Sequence, residues 1–336
     1  MRCDANATHA VWTNIHPGVS GKHDRQEFIT VTASSSGPRI RLLPDILVDL
    51  EADAERAHQQ RLTGRMGGPV TGLAPIDSAL GGYLAEGLHI LHGAPGTGKT
   101  ALALQIAATC GAPALFVTAE MPPTELLRRI VARVTGVFLG RLKSGEFAPA
   151  DVVALARKTI ETVPYLAILD ATTGPAPSVV DLQTSIESVR NLVARLGTPD
   201  AIEAAMMPCL MVIDSGHAWA SGLEMAGAPE YDRLNAAIGG LHDLARMMGI
   251  PILITAERNR ASMVTGGQNA AAGTRTWEYR AETVLDLSPD PDPKVASPIG
   301  GERRLILSIH KNRHGPPLPV GPSLDWNGAL QRFKAR

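Results

Sequence analysis

The sequence predicts an α/β protein, with a mostly parallel twisted sheet and helices on both faces, and three observations carry that expectation. Short apolar runs recur at 88–91, 114–117, 165–169, 210–213, 250–255, 284–287 and 305–309, each short enough for a strand. Helical patterns lie between several of them. The clearest is Leu234, Ala237, Ile238, Leu241, Leu244, Ala245 and Met248, whose steps of three and four form one stripe. Third, a glycine-rich turn at 93–98 joins one of the runs to a strong helix former, Ala101–Ala107, as a strand–loop–helix unit requires.

Taken in order, residues 1–41 are rich in small and polar types, including Thr-Ala-Ser-Ser-Ser-Gly-Pro at 32–38, and read as a flexible N-terminal tail. From 42 to 62, Ile46, Leu47, Leu50, Ala54 and Ala57 recur at helical spacing among charged and amide residues. A linker helix with one apolar face is expected there, in want of a partner surface. The stretch 62–71 breaks that period with Gly64, Gly67, Gly68 and Pro69 and reads as a hinge. The remainder, 63–336, is then one main domain, and no internal repeat is visible.

Composition narrows the function classes. With 336 residues and 44% hydrophobic side chains the chain can bury a full core. Lys plus Arg (32) nearly balances Asp plus Glu (33), so no global basic field advertises nucleic acid, and any such contact must be local. Cys3, Cys110 and Cys209 form no C-x-x-C pair, which argues against a zinc knuckle or disulfide framework. Nothing approaches about twenty apolar residues in a row, and the expectation is a cytoplasmic, non-membrane protein.

The chemistry begins at Gly93, Ala94, Pro95, Gly96, Thr97, Gly98, Lys99 and Thr100, a P-loop in strand–helix context. Its glycines let backbone N–H groups converge on phosphate oxygens, and the helix N-terminus adds partial positive charge. Lys99 should reach the outer phosphates of ATP, and the Thr100 hydroxyl should be a ligand of Mg2+. Asp214 closes the apolar run 209–213. Alone it would read as a turn starter, but behind a P-loop it is expected in the magnesium shell. Glu120 closes the run from Ala114, just before Met121-Pro122-Pro123-Thr124 starts a helix. Read from the residues it is either an acid favouring that helix dipole or a base that orients the attacking water.

The order of these features resembles the motor domain of DnaB-type replicative helicases, a RecA-like P-loop NTPase. The likeness runs through TGLAPIDSALGGYLAEGLHILHGAPGTGKTALALQIA (71–107), FVTAEM (116–121), RLKSGEF (141–147), YLAILDATTG (165–174), LMVIDS (210–215), GIPILITAERNR (249–260) and HKNRHGP (310–316). It implies that Glu120 is the catalytic base, Asp214 the Walker-B acid and Glu257 the polar sensor, where the family usually has glutamine. It further implies that Lys311 and Arg313 reach a neighbouring subunit's ATP, and hence a homo-oligomeric, hexameric ring in which the linker helix docks on the adjacent subunit. Without the family, that pair would read as a solvated basic turn before Gly315-Pro316.

Two departures stand beside the likeness. Only about 42 residues precede the linker helix, so no primase contact through a DnaB-type N-terminal domain is expected, and the shorter RepA-like ring helicases match better. RadA-type ATPases share the Lys311-Asn312-Arg313 segment but bring a four-cysteine zinc module that the sequence does not show. The DNA-facing stretch 261–274 is small and uncharged, leaving Arg258, Arg260 and Arg275 as the candidate single-stranded DNA contacts. Trp277 reads either as a base-stacking residue or as core. The leading expectation is an ATP-dependent ring helicase or translocase in DNA replication. The alternative is a KaiC-like regulatory ATPase that oligomerises with ATP and controls a protein partner without unwinding DNA. A small-molecule kinase is disfavoured, since it would leave the basic pair unexplained.

Overall fold

The computed structural model describes residues 41–64, 67–225, 227–257, 272–291 and 302–336. The expected tail falls almost entirely outside them. The chain divides into two compact units, Met1–Ala52 and Asp53–Arg336. Helix α1 runs Leu43–Thr63. Its Ile46, Leu47 and Leu50 are exposed in the single chain.

A nine-stranded sheet organises the second unit, in the order β3-β2-β4-β5-β1-β6-β7-β8-β9. The strands are β1 (Gly87–Gly93), β2 (Ala114–Thr118), β3 (Leu166–Asp170), β4 (Leu210–Asp214), β5 (Pro251–Glu257), β6 (Thr283–Pro289), β7 (Glu302–Asn312), β8 (Ser323–Asn327) and β9 (Arg332–Ala335). The first six positions in that order pair in parallel, and β7, β8 and β9 add antiparallel edges. The sheet is therefore mostly parallel, as the alternating pattern predicts. Sequence periodicity missed β8 and β9, which are too short and too polar to show as apolar runs.

Helices cover both faces because the inner strands are buried on both sides, β1, β2 and β4 along their whole length. On one face α2 (Ala74–Ala79), α3 (Lys99–Thr109) and α4 (Pro123–Thr135) pack Ile76, Leu102, Ile106 and Leu126 against Leu91, Phe116 and Val212. A small satellite core joins α4 to α5 (Leu139–Lys143) and α6 (Pro149–Thr162) through Val131, Ala132 and Leu142. The other face carries α7 (Val179–Ala194), α8 (Pro199–Met206), α9 (Gly216–Ser221), α10 (Glu230–Met248) and α11 (Ala272–Arg280). The predicted stripe on α10 is buried from Leu234 to Ala245, with Met248 at its margin. Among the described residues no helix is long and apolar enough to cross a membrane.

One buried polar contact in this frame has a measurable cost in acid. His89 of β1 is fully buried, with Nε2 2.8 Å from the Ala85 carbonyl and Nδ1 2.7 Å from Thr283 Oγ1. The carbonyl can only accept, so Nε2 carries the proton and the Thr283 hydroxyl donates to Nδ1. Burial pushes the imidazole from 6.5 down to about 4. Its folded-state pKa is depressed, so the unfolded chain binds the proton first as pH falls. The stabilisation is complete above about 6.5 and is lost as pH drops toward 4, by about 3 kcal/mol in all. Thermal unfolding midpoints should therefore fall between pH 7 and 4.5 in the native chain and fall less in His89→Gln. Parallel curves for the two proteins would rule His89 out as the source.

Candidate nucleotide site

Because β2, β4, β5 and β1 run in parallel, their carboxyl ends arrive at one edge of the sheet, in that order. Gly93 of β1 pairs with Glu257 of β5, and Thr118 of β2 pairs with Asp214 of β4. Glu120 follows β2 by two residues. Gly93, Glu257, Asp214 and Glu120 thus converge on one rim without any loop having to bring them together.

The loop from β1 to α3 is shaped by its glycines. Gly98, the N-cap of α3, has φ 93°, and a Cβ there would lie 3.0 Å from the Phe333 ring and 3.2 Å from that of Trp326. Those two rings are stacked with centroids 4.3 Å apart. Gln105 of α3 fixes the same hairpin, donating to the Phe333 carbonyl at 3.0 Å and accepting from its N–H at 2.8 Å. The C-terminal strands are therefore the floor under the start of α3.

Lys99 Nζ turns back to donate to the carbonyls of Gly93 at 2.9 Å and Ala94 at 3.2 Å. Burial holds its ammonium below the ordinary value, against the pull of the Glu257, Asp214 and Glu120 carboxylates. Asp214 is 3% exposed. Its Oδ1 accepts from Thr100 Oγ1 at 3.2 Å and from Thr255 Oγ1 at 2.6 Å. Burial pushes this carboxyl above its ordinary value, the two hydroxyls oppose the shift, and the Glu120 charge adds to it. The Asp214–Ser215 peptide is cis. Ser215 Oγ, in turn, donates to Glu120 Oε1.

Thr100 and Asp214 offer a hydroxyl and a buried carboxylate to one point, hard oxygen donors of the kind magnesium takes when phosphates and water complete its shell. Among the described residues no group of three or more His, Cys, Asp or Glu could hold a metal by itself. A cation shared with a phosphate ligand fits these two donors.

The other expected residues lie elsewhere. Lys311, near the end of β7, donates to the carbonyls of Glu278 at 2.9 Å and Tyr279 at 2.8 Å. Arg313 is half exposed, 3.1 Å from Glu282 Oε1. Its N–H donates to the Glu282 carbonyl at 3.0 Å, and the Glu282 N–H donates to Leu88 at 2.7 Å. Arg313 is therefore level with Leu88, five residues of β1 below Gly93, or about 16 Å along the sheet at ~3.3 Å per residue. Arg258, Arg260 and most of the stretch 261–274 lie outside the described residues, and Arg275 falls in the first half of α11. Trp277 is core, 1% exposed and stacked on His217 at 4.8 Å, so the base-stacking alternative does not hold.

Sequence reading missed Thr255 and Ser215. A polar residue interrupting the apolar run of β5, two positions before Glu257 and hence on the same face, was the available signal for Thr255.

The chain is 25% identical over 314 residues to "Replicative DNA helicase DnaB" of Treponema pallidum (strain Nichols), covering 92% of this chain and 65% of that relative. It is 24% identical over 280 residues to the protein of the same name from Leifsonia xyli subsp. xyli, covering 80% and 56%. The chain thus spans less than two thirds of those curated relatives. Among solved structures, one described as an ATPase domain superposes with a TM-score of 0.65 at 18% identity, covering 88% of this chain and 99% of that one. A DnaB-like replicative helicase, solved in a study of its interactions with primase, gives the same TM-score and identity, covering 90% and 68%. Both likenesses are of fold, which is RecA-like. Residues 68–269, more than half of the chain, match the family described as "DnaB-like helicase C terminal domain", and it is to this family that the chain belongs.

Proposed function

We propose that the chain is the ATP-hydrolysing motor of a ring helicase, moving along single-stranded DNA and parting strands in replication. The observation that carries this reading is the polarity of the sheet. The phosphate loop, Asp214, Glu120 and Glu257 share its carboxyl rim, while Arg313, level with Leu88, lies about 16 Å and Lys311, level with Ile90, about 10 Å away along β1 at ~3.3 Å per residue. Arg313 so placed cannot serve its own loop. It can serve the loop of a second copy stacked against it, which supports a hexameric ring with composite sites. The apolar face of α1 would dock on that neighbour.

Within one site, the backbone N–H groups of 93–98 and the N-terminus of α3 would bind the phosphates. Lys99 would exchange the carbonyls of Gly93 and Ala94 for the outer phosphates. Thr100 and Asp214 would hold Mg2+, which would supply neutralisation of the phosphate charge. Glu120, steadied by Ser215, would orient a water and take its proton as the oxygen bonds to the γ-phosphorus. The bond to the bridging oxygen then breaks and ADP leaves. Glu257 would sense the γ-phosphate, and Arg313 and Lys311 of the adjoining copy would stabilise the transition-state charge. Arg258, Arg260 and Arg275, repeated around a ring, supply the positive charge a single strand needs.

The deciding experiment is ATP turnover with and without single-stranded DNA, beside displacement of a strand from a forked duplex. Stimulation together with displacement is expected. Turnover indifferent to DNA over a range of salt, with ATP-dependent capture of a protein partner instead, would replace the motor with a regulatory ATPase. Glu120→Gln should slow hydrolysis by about 100-fold or more while leaving nucleotide binding largely intact. Normal hydrolysis in that variant would remove Glu120 from the role of base. Arg313→Ala should abolish turnover yet bind nucleotide, and mixing it with Lys99→Ala should recover part of the activity. A mixture as inactive as its components would argue against a shared site.

A further inference from the structure

His92 is the last residue before the phosphate loop, and its side chain has no place in the apolar logic of its strand. It points to the face of Leu88 and Ile90, where β1 meets α9, α10 and α11, and is 3% exposed. Neither ring nitrogen makes a hydrogen bond among the described residues. Its Nε2 lies 3.1 Å from Oε1 of Glu278 on α11, within ion-pair distance. A buried imidazole with no hydrogen bond to either nitrogen is costly, and replacing it by an apolar residue would suit the core better.

Two further anchors hold α11. Trp277 is wedged against the start of α9, where a Cβ on Gly216 would lie 2.4 Å from its ring, and it stacks on His217 at 4.8 Å. At its C-terminus, Lys311 donates to the carbonyls of Glu278 and Tyr279, at 2.9 and 2.8 Å, and Arg313 Nη2 to that of Tyr279 at 3.4 Å. These are carbonyls that a helix end leaves without partners of its own. One short helix thus touches both the residue preceding the phosphate loop and the basic pair.

We propose that His92 is a positioning residue that ties the phosphate loop to α11 through Glu278, so that α11 follows the occupancy of its own protomer's nucleotide site. The inference rests on the reading that 93–100 holds a nucleotide. The path is short: Lys99 must release the carbonyls of Gly93 and Ala94 to meet phosphate, the backbone there resettles, and His92 is covalently next in line. Its imidazole passes the shift to Glu278, and α11 carries it to the carbonyls on which Lys311 and Arg313 rest. Lys311 and Arg313 are then released or retained according to the state of their own protomer's site.

The test is amide hydrogen exchange of a peptide covering 276–281, with and without a nonhydrolysable ATP analogue and Mg2+, in the native chain, His92→Leu and Glu278→Gln. The native chain should show a nucleotide-dependent change of about fivefold or more in α11. Both variants should keep that change below about twofold. Their ATP turnover should fall about tenfold in kcat with less than about a threefold change in KM, a split that mere loosening of the core would not give. Glu278 is 45% exposed at its side chain, so its variant keeps the test open should His92→Leu fail to fold. If the native chain hydrolyses ATP but α11 exchanges at the same rate in both states, or if both variants respond as the native chain does, the link is wrong although the nucleotide site stands. A native chain that binds no nucleotide would overturn the site itself and the link with it.

Discussion

The carboxylate of Asp214 is the contact on which the site depends. It closes β4, is almost wholly buried, and accepts hydroxyls from two other elements, Thr100 at the start of α3 and Thr255 within β5. A charge withdrawn from water this far is unfavourable unless hydrogen bonds or a cation answer it. The two hydroxyls answer it in part, and the carboxyl is still pushed above its ordinary value. A polar group held at a cost at the carboxyl rim of a parallel sheet is the arrangement expected where binding supplies the missing compensation.

The fold was largely legible because a parallel sheet buried on both faces writes its strands as apolar runs and its helices as stripes. All seven runs became strands, β1 to β7, and the stripe on α10 buried as expected. What escaped was the antiparallel edge. β8 and β9 are five and four residues long, and Trp326 and Phe333 sit among polar neighbours. Their burial comes from packing under Gly98 and from the two bonds to Gln105, contacts with residues more than two hundred positions away. No local pattern can announce those.

The site was legible where chemistry is written in consecutive residues and illegible where it is assembled across strands. The glycines of 93–98, Lys99 and Thr100 form a string whose purpose can be read directly. Asp214 and Glu120 could be placed only because strands of known direction end there. Thr255, Ser215 and His92 meet partners on other elements, and a lone threonine or histidine in an apolar run carries no such label. Trp277 reads both ways in sequence, and only the absence of space beside Gly216 decides that it is core.

The distance between the two ends of β1 has a consequence for symmetry. On the proposed reading, a protomer that offers its phosphate cradle at the carboxyl rim and Arg313 near the opposite end of β1 presents two unlike surfaces, so partners that share a site would associate head to tail. Two copies related by a dyad would set like against like and complete neither. Head-to-tail contacts either close into a circle or continue as a helical filament, and only closure gives every cradle its cations. An interrupted circle would hold one idle cradle and one idle pair, at a seam through which a strand without free ends could pass.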